Sequence, residues 1–369
     1  MKGPLKKISV LIVIAVFAVP MAVALSAPAA DGDNEFVSYY AQLDANEKAI
    51  YDAMVSADAD TMNIVVDLPV ELTARSDSPA KAMVMLDDIV RSDVDNAFDA
   101  LMLSEPLAYW GWVVSSVKWE TNLSISGNVA SVSSVSFEIS YIRYPVDPAT
   151  GEFQGIEKML ADLNAAVNSF HTDAATVRDK VLDINNYLVN LVTYDPGAGD
   201  SVMESRYAHD AYGALVDPNH YAVCDGYSKA FQLLCMKEGI ECIVVLGTGM
   251  PISDIPVVVN HAWNYVKMDD GQWYAMDVTW NDDENDMFLT LGGTGNLYFL
   301  KGNAFFNTHQ PGIFLGSGLV TYPFNSPPLS ILGYDEYEAI NMEKYSWILA
   351  VIMVALIAFA LYRHSKRKG

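Results

Sequence analysis

Cysteine is scarce in this chain: Cys224, Cys235 and Cys242 are the only three in 369 residues. So few exclude a disulfide-stapled scaffold, and no Cys/His spacing of a zinc or haem site accompanies them. At most one bridge can form, and an odd thiol remains. Basic residues are also few, 22 Lys and Arg against 46 Asp and Glu, for a formal net charge of −24. Lys2, Lys6, Lys7, Arg363, Lys366, Arg367 and Lys368 sit in two end segments without acids, so the middle is more acidic still. Such a surface repels a phosphate backbone, and a nucleic-acid role is excluded. Internal repeats and low-complexity tracts are lacking.

Long apolar runs occur only at the two ends. Ile8 to Leu25 follows the N-terminal lysines and gives way to the small residues Ala24, Ser26, Ala27 and Ala29. A basic start, an apolar middle and a small-residue end predict a signal peptide over 1–29. The competing reading is an uncleaved anchor; Pro20 and the small-residue tail favour cleavage. Residues 345–362 predict a transmembrane helix of roughly 27 Å. Tyr345, Trp347 and Tyr362 stand at its ends, and a basic tail, 363–369, follows. Aromatic rings prefer the headgroup layer and positive charge stays cytoplasmic, so everything before Tyr345 is expected outside the cell, single-pass and membrane-anchored.

Between these ends, three regions are expected: an N-terminal helical and β extension (30–150), a catalytic domain (151–328) and an acidic linker (329–344). Phe36 to Ser104 reads as helical, with a capping box at Asp44–Glu47 and an N-cap followed by proline at Ser78-Pro79. Trp110 to Ile142 turns to short β-rich runs. Asn122-Leu123-Ser124 is a glycosylation sequon. Helices are expected over Glu157–Phe170 and Asp173–Leu191.

Chemistry concentrates between Tyr221 and Trp280. A helical run follows Val223-Cys224-Asp225-Gly226 and stops at Gly239, which sets Cys224 at a helix N-terminus. Free N–H groups there stabilise a thiolate and can bind an oxyanion. A strand, Glu241 to Leu246, comes next. Two more, His261–Val266 and Trp273–Val278, flank Asp269-Asp270-Gly271. A three-residue hairpin loop sets Met268 opposite Gln272, Trp263 opposite Asp277 and His261 opposite Thr279. His261 and Asp277 then share one face within side-chain reach. A thiol, a base and an orienting acid are what nucleophilic acyl transfer requires.

The segments Ala211-Tyr212-Gly213-Ala214-Leu215, Val223 to Phe231, His261-Ala262-Trp263-Asn264 and Trp273 to Trp280 resemble successive motifs of the microbial transglutaminase-like family. Tyr298-Phe299-Leu300 and His309 resemble that family's end. The resemblance implies a papain-like α+β fold, in which the Cys-bearing helix packs on an antiparallel sheet carrying His and Asp. It also implies Cys224, His261 and Asp277 as a catalytic triad acting on protein or peptide amides through a thioester, without cofactor or metal. The thioester passes to an amine or to water; the rival expectation is a catalytically silent surface module.

Other residues carry blander expectations. Trp263 and Trp280 either line a substrate groove or simply pack. Core packing is the better reading of Cys235 and Cys242, with a bridge as the alternative. His171, His209, His220 and His309 have no aspartate-bearing partner strand, and His220 stands where it could crowd or cap the site. The cluster Asp282, Asp283, Glu284 and Asp286 lacks the spacing of a calcium loop and reads as a solvated turn.

Overall fold

The computed structural model of the protein describes residues 38–57, 63–106, 114–141, 156–199, 203, 205–250, 258–282, 296–314, 320–321 and 324–336. The expected signal peptide (1–29), membrane helix (345–362), basic tail (363–369) and most of the acidic cluster (283–286) lie outside these. Among the described residues no helix is long and apolar enough to cross a membrane.

Two short helices come first, α1 (Tyr39–Gln42) and α2 (Ala45–Val55). The capping box forms: Asp44 Oδ1 accepts the Glu47 N–H at 2.9 Å, and the Asp44 N–H donates to Glu47 Oε2 at 2.6 Å. The helical reading of Phe36–Ser104 then needs correction, because β1 (Asn63–Arg75) interrupts it. Ile64, Val66 and Leu68 are buried while Val65 is 70% exposed, the period of two that β-branched residues favour. The ladder slips between Asp67 and Leu72, beside Pro69, which has no N–H to offer.

Helix resumes as α3 (Pro79–Ser104), with Ser78 as N-cap. Ala82, Leu86, Val90, Val94, Ala97 and Leu101 bury one face at helical spacing. Strands β2 (Val114–Thr121), β3 (Ser124–Ser126) and β4 (Val129–Tyr141) follow. β4 pairs antiparallel with β1, β2 and β3, making a four-stranded sheet. Asn122 of the sequon is tied into this sheet: its Nδ2 donates to Ser133 Oγ at 2.8 Å, and its Oδ1 accepts the N–H groups of Ser133 and Ser134.

The second half begins with α4 (Ile156–Ser169), α5 (Val177–Leu191) and β5 (Thr193–Tyr194), then α6 (Ala211–Leu215) and β6 (Tyr221–Ala222). β5 and β6 form a short parallel pair. Next come α7 (Cys224–Lys237), β7 (Cys242–Gly249), β8 (Val259–Lys267), β9 (Trp273–Met276), α8 (Val278–Asn281) and β10 (His309–Pro311). The strands make one antiparallel sheet in the order β10-β7-β8-β9. Against β7 and β8 packs α7, whose residues from Gly226 to Cys235 are all buried. The Tyr39 hydroxyl donates to the Val244 carbonyl at 2.8 Å, and Gln232 Nε2 donates to the Leu103 carbonyl at 3.3 Å, so the extension is tied to this core.

The hairpin between β8 and β9 has the expected register, from Lys267–Trp273 to Asn264–Met276. Gly271 closes its loop at φ +78°, a conformation that costs residues with a Cβ. Pairing then ends. Asp277 turns away to cap α8, so Thr279 is helical and does not face His261. Part of the expected linker is also not free: the Ser330 N–H donates to the Trp273 carbonyl at 2.9 Å, the Tyr334 hydroxyl to Asp269 at 2.7 Å, and Arg178 Nη2 to Asp335 at 2.8 Å. Residues 329–336 therefore return to the domain.

Candidate active site

Cys224 opens α7, and its N-cap residue, Val223, makes no side-chain capping bond. The first-turn N–H groups thus have no side-chain cap, and the half-exposed Cys224 stands among them. Cys235 and Cys242 are buried, and all three thiols are free. Burial, then the neighbouring Cys242 thiol, pushes the Cys235 thiol well above its ordinary value. The packing reading of these two matches the structure.

The tip of α7 is held electrostatically. Lys229 Nζ donates to the His209 carbonyl at 2.9 Å and to Asp210 Oδ1 at 3.0 Å, both side chains buried. Burial raises the Asp210 carboxyl to about 6, against the pull of Lys229. Asp225, beside Cys224, accepts from His209 Nδ1 at 2.9 Å.

His261 lies on β8 opposite Gly247. Its Nε2–H donates to Asp277 Oδ2 at 2.8 Å, both groups buried, and Cys224 is close enough to help hold the ring's proton. With Nε2 committed to the carboxylate, Nδ1 is the nitrogen left for the thiol. Asp277 Oδ1 accepts the Trp280 N–H at 3.1 Å, which fixes the carboxylate plane. Burial alone would strip the His261 proton, but the Asp277 charge and hydrogen bond, with Cys224, raise it above the ordinary imidazole value. Burial would likewise lift Asp277, yet His261 and His309 hold it below the carboxylate range. The pair is therefore an ion pair at neutral pH.

A fourth residue joins them. His309 Nε2 lies 3.0 Å from the same Asp277 oxygen, and its Nδ1 lies 3.0 Å from Thr308 Oγ1. The expectation that His309 lacks an aspartate partner is thus corrected. The partner reaches it from the end of β9, 32 residues away in sequence, and β10 delivers the ring by pairing with β7. Only its place after Tyr298-Phe299-Leu300 marked it in the sequence.

Aromatic rings seal this group. Trp280 stacks on His261 with centroids 4.2 Å apart, and Phe306 stacks on His309 at 3.8 Å. Gly249 makes the stack possible, since a Cβ there would stand 2.6 Å from the Trp280 ring. Trp263 and Trp280 are both buried, so they pack around the histidines instead of lining an open groove.

The remaining residues fall elsewhere. His220, at φ +50°, points its Nδ1 at the Ala214 carbonyl 2.9 Å away. His171 is exposed beside Asp173. Asp282, read as part of a solvated turn, is buried and accepts from the Tyr227 hydroxyl at 2.6 Å. Ligand atoms of His261, Asp277 and His309 lie within 4.8 Å of one another, a spacing a metal ion could use. Asp277 Oδ2 already accepts from both rings, however, and hydrogen bonding accounts for the cluster. Asp44, Glu47 and Asp93 also converge within 4.8 Å, the first two serving the helix cap.

Residues 164–278 match the profile of the Transglutaminase-like superfamily. This segment, which ends just past Asp277, is a transglutaminase-like domain of papain-like α+β fold. Human (Homo sapiens) Kyphoscoliosis peptidase is 28% identical over 169 residues, 44% of this chain and 22% of that protein. The mouse (Mus musculus) protein of the same name is 32% identical over 161 residues, 42% of this chain and 22% of its own. The chain thus spans about a fifth of the length of these curated relatives. Among solved structures, a TGase is 19% identical over 43% of this chain and 44% of its own, with a TM-score of 0.27. The periplasmic domain of TgpA from Pseudomonas aeruginosa, bound to ethylmercury, is 13% identical over 62% and 76%, at 0.24.

Proposed function

We propose that the chain performs thiol acyl chemistry on protein or peptide amides, with Cys224 as nucleophile, His261 as general base and acid, and Asp277 as the orienting carboxylate. The observation that supports this is the buried His261–Asp277 hydrogen bond, with Cys224 beside it at the start of α7. The sulfur attacks the amide carbonyl while His261 Nδ1 holds the thiol proton. The carbonyl oxygen takes negative charge and is met by the N–H groups at the helix start. As the C–N bond breaks, His261 returns the proton to the leaving amine, and a thioester remains on Cys224. Asp277 at Nε2 keeps the ring in one tautomer and balances its charge.

The thioester is opened in one of two ways. Water, activated by His261, gives a free acid, which is peptidase or amidase chemistry. A lysine amine gives an isopeptide, which is transglutaminase chemistry. Water is the first reading, because both curated relatives are named peptidases. We further propose that the domain works at the outer face of a membrane, held by residues 345–362. The support is the apolar run, its aromatic ends and the basic tail.

The test is mass spectrometry of surface proteins exposed to wild type or to Cys224→Ala. New termini absent from the variant sample support hydrolysis, and new Gln–Lys links support cross-linking. Identical samples contradict the acyl-transfer reading.

A further inference from the structure

Asp277 serves two imidazoles through one oxygen. It is fully buried; Oδ1 accepts from the Trp280 N–H, while Oδ2 receives Nε2 of His261 at 2.8 Å and Nε2 of His309 at 3.0 Å. The two rings stand only 5.6 Å apart, centre to centre. Were both charged, a single carboxylate would face two cations in a buried site, where solvent screens charge poorly. One ring must therefore stay neutral.

His309 is the neutral ring. Phe306, Trp263, Trp280 and Tyr298 surround it, and Asp277 and His261 are the charged groups the structure sets beside it. Tyr298 is a phenol and adds no charge at neutral pH. As a neutral ring, His309 can donate to Asp277 only from Nε2–H. Its Nδ1 lone pair then accepts the Thr308 hydroxyl at 3.0 Å, so both ends select one tautomer. Burial lowers its proton affinity to about 4 in agreement, against the pull of Asp277 and together with the charge on His261.

We propose that His309 is a positioning residue for the acyl chemistry: its Nε2–H fixes the Asp277 carboxylate and limits how tightly that carboxylate holds the proton on His261. The inference rests on the triad reading above. An oxygen shared between two N–H donors carries less charge towards either one. Without His309, the carboxylate would pull harder on the His261 proton, which must leave for the departing amine. It would also lose one of its fixed partners and its aim.

The test compares His309→Phe, which fills the pocket without a donor, with His309→Gln, whose side-chain amide can set an N–H near the same place. The first readout is the rate of iodoacetamide alkylation of Cys224 across pH, which needs no substrate. The second is ¹⁵N NMR of the histidine rings in the wild type. The expected result for His309→Phe is an alkaline limb moved to higher pH, because Asp277 then holds the His261 proton more tightly; Gln should restore most of the wild-type position. The NMR should show His309 as a neutral Nε2–H ring beside a protonated His261.

Equal behaviour of the two variants with an unmoved limb would reduce His309 to packing and overturn the proposal. So would an Nδ1–H or doubly protonated His309. Should wild type itself alkylate no faster than His261→Ala, the triad reading fails and this proposal falls with it. If wild type depends on His261 but His309→Phe matches it, only this proposal fails.

Discussion

Trp280 lies flat on His261, ring centroids 4.2 Å apart and planes 12° apart, while its backbone N–H donates to Asp277 Oδ1 at 3.1 Å. One residue therefore fixes both the imidazole and the carboxylate. It can do so because Asp277 leaves the strand to cap a helix of four residues.

Trp280→Ala keeps the backbone bond and removes the stack. Loss of a buried indole is expected to cost about 3–5 kcal/mol of stability, measured by urea unfolding. The stack also favours the charged ring, by about 0.5–2 kcal/mol as a cation over an indole. The alkaline limb of Cys224 alkylation should therefore move to lower pH. An unmoved limb would show that the stack acts by packing alone.

The ion pair predicts a pH-dependent stability. His261 binds its proton more tightly when folded, because Asp277 overcomes the effect of burial. Its contribution is complete below the unfolded value of about 6.5 and is lost as pH rises through the folded value. Asp277 is depressed, so its contribution holds above the unfolded carboxylate range and is lost only in strong acid. Asp277→Asn removes the charge and leaves an oxygen for the Trp280 N–H. The stability gap between wild type and this variant should narrow steadily above about pH 6.5. A gap that stays constant into the alkaline range contradicts the charged pair.

Lys229 and Asp210 form a buried pair beside the nucleophile helix. Lys229→Met strands the Asp210 carboxylate, with an expected loss of about 3–5 kcal/mol at neutral pH. The loss should shrink as the pH falls, because burial already raises the Asp210 carboxyl and, without the opposing Lys229 charge, it takes up a proton more readily still. Replacing both partners, Lys229→Met with Asp210→Leu, should recover most of it in a denaturation series. If the double change is as costly as the single one, the penalty is steric and not electrostatic.

Thiol counting separates Cys224 from its neighbours. Of the three free cysteines only Cys224 is more than fully buried packing. Under native conditions Ellman's reagent should find a single reactive equivalent, lost in Cys224→Ala, and all three should appear in denaturant. A second fast thiol in the folded protein would place Cys235 or Cys242 nearer the surface than its burial allows.

Much of the site is legible in the sequence because its signals are local. Gly239 ends the Cys224 helix, and Asp269-Asp270-Gly271 fixes the hairpin register, so Cys224 and His261 fall where the pattern puts them. Asp277 meets His261 by a different route, as a helix cap and not as a cross-strand neighbour. His309 was hidden because its strand is three residues long and its ladder reaches β7 across a long sequence gap. β1 was obscured in a different way: Pro69 interrupts its alternation, and strong helix signals flank it on both sides.

The decisive measurement is the alkylation rate of Cys224 at neutral pH in wild type and in His261→Ala. A hydrogen-bonded imidazole held charged by Asp277 should make the wild-type sulfur react far faster, with the variant recovering speed only in alkali. Equal, slow rates in both would contradict the thiol mechanism, whatever the distances between the three side chains.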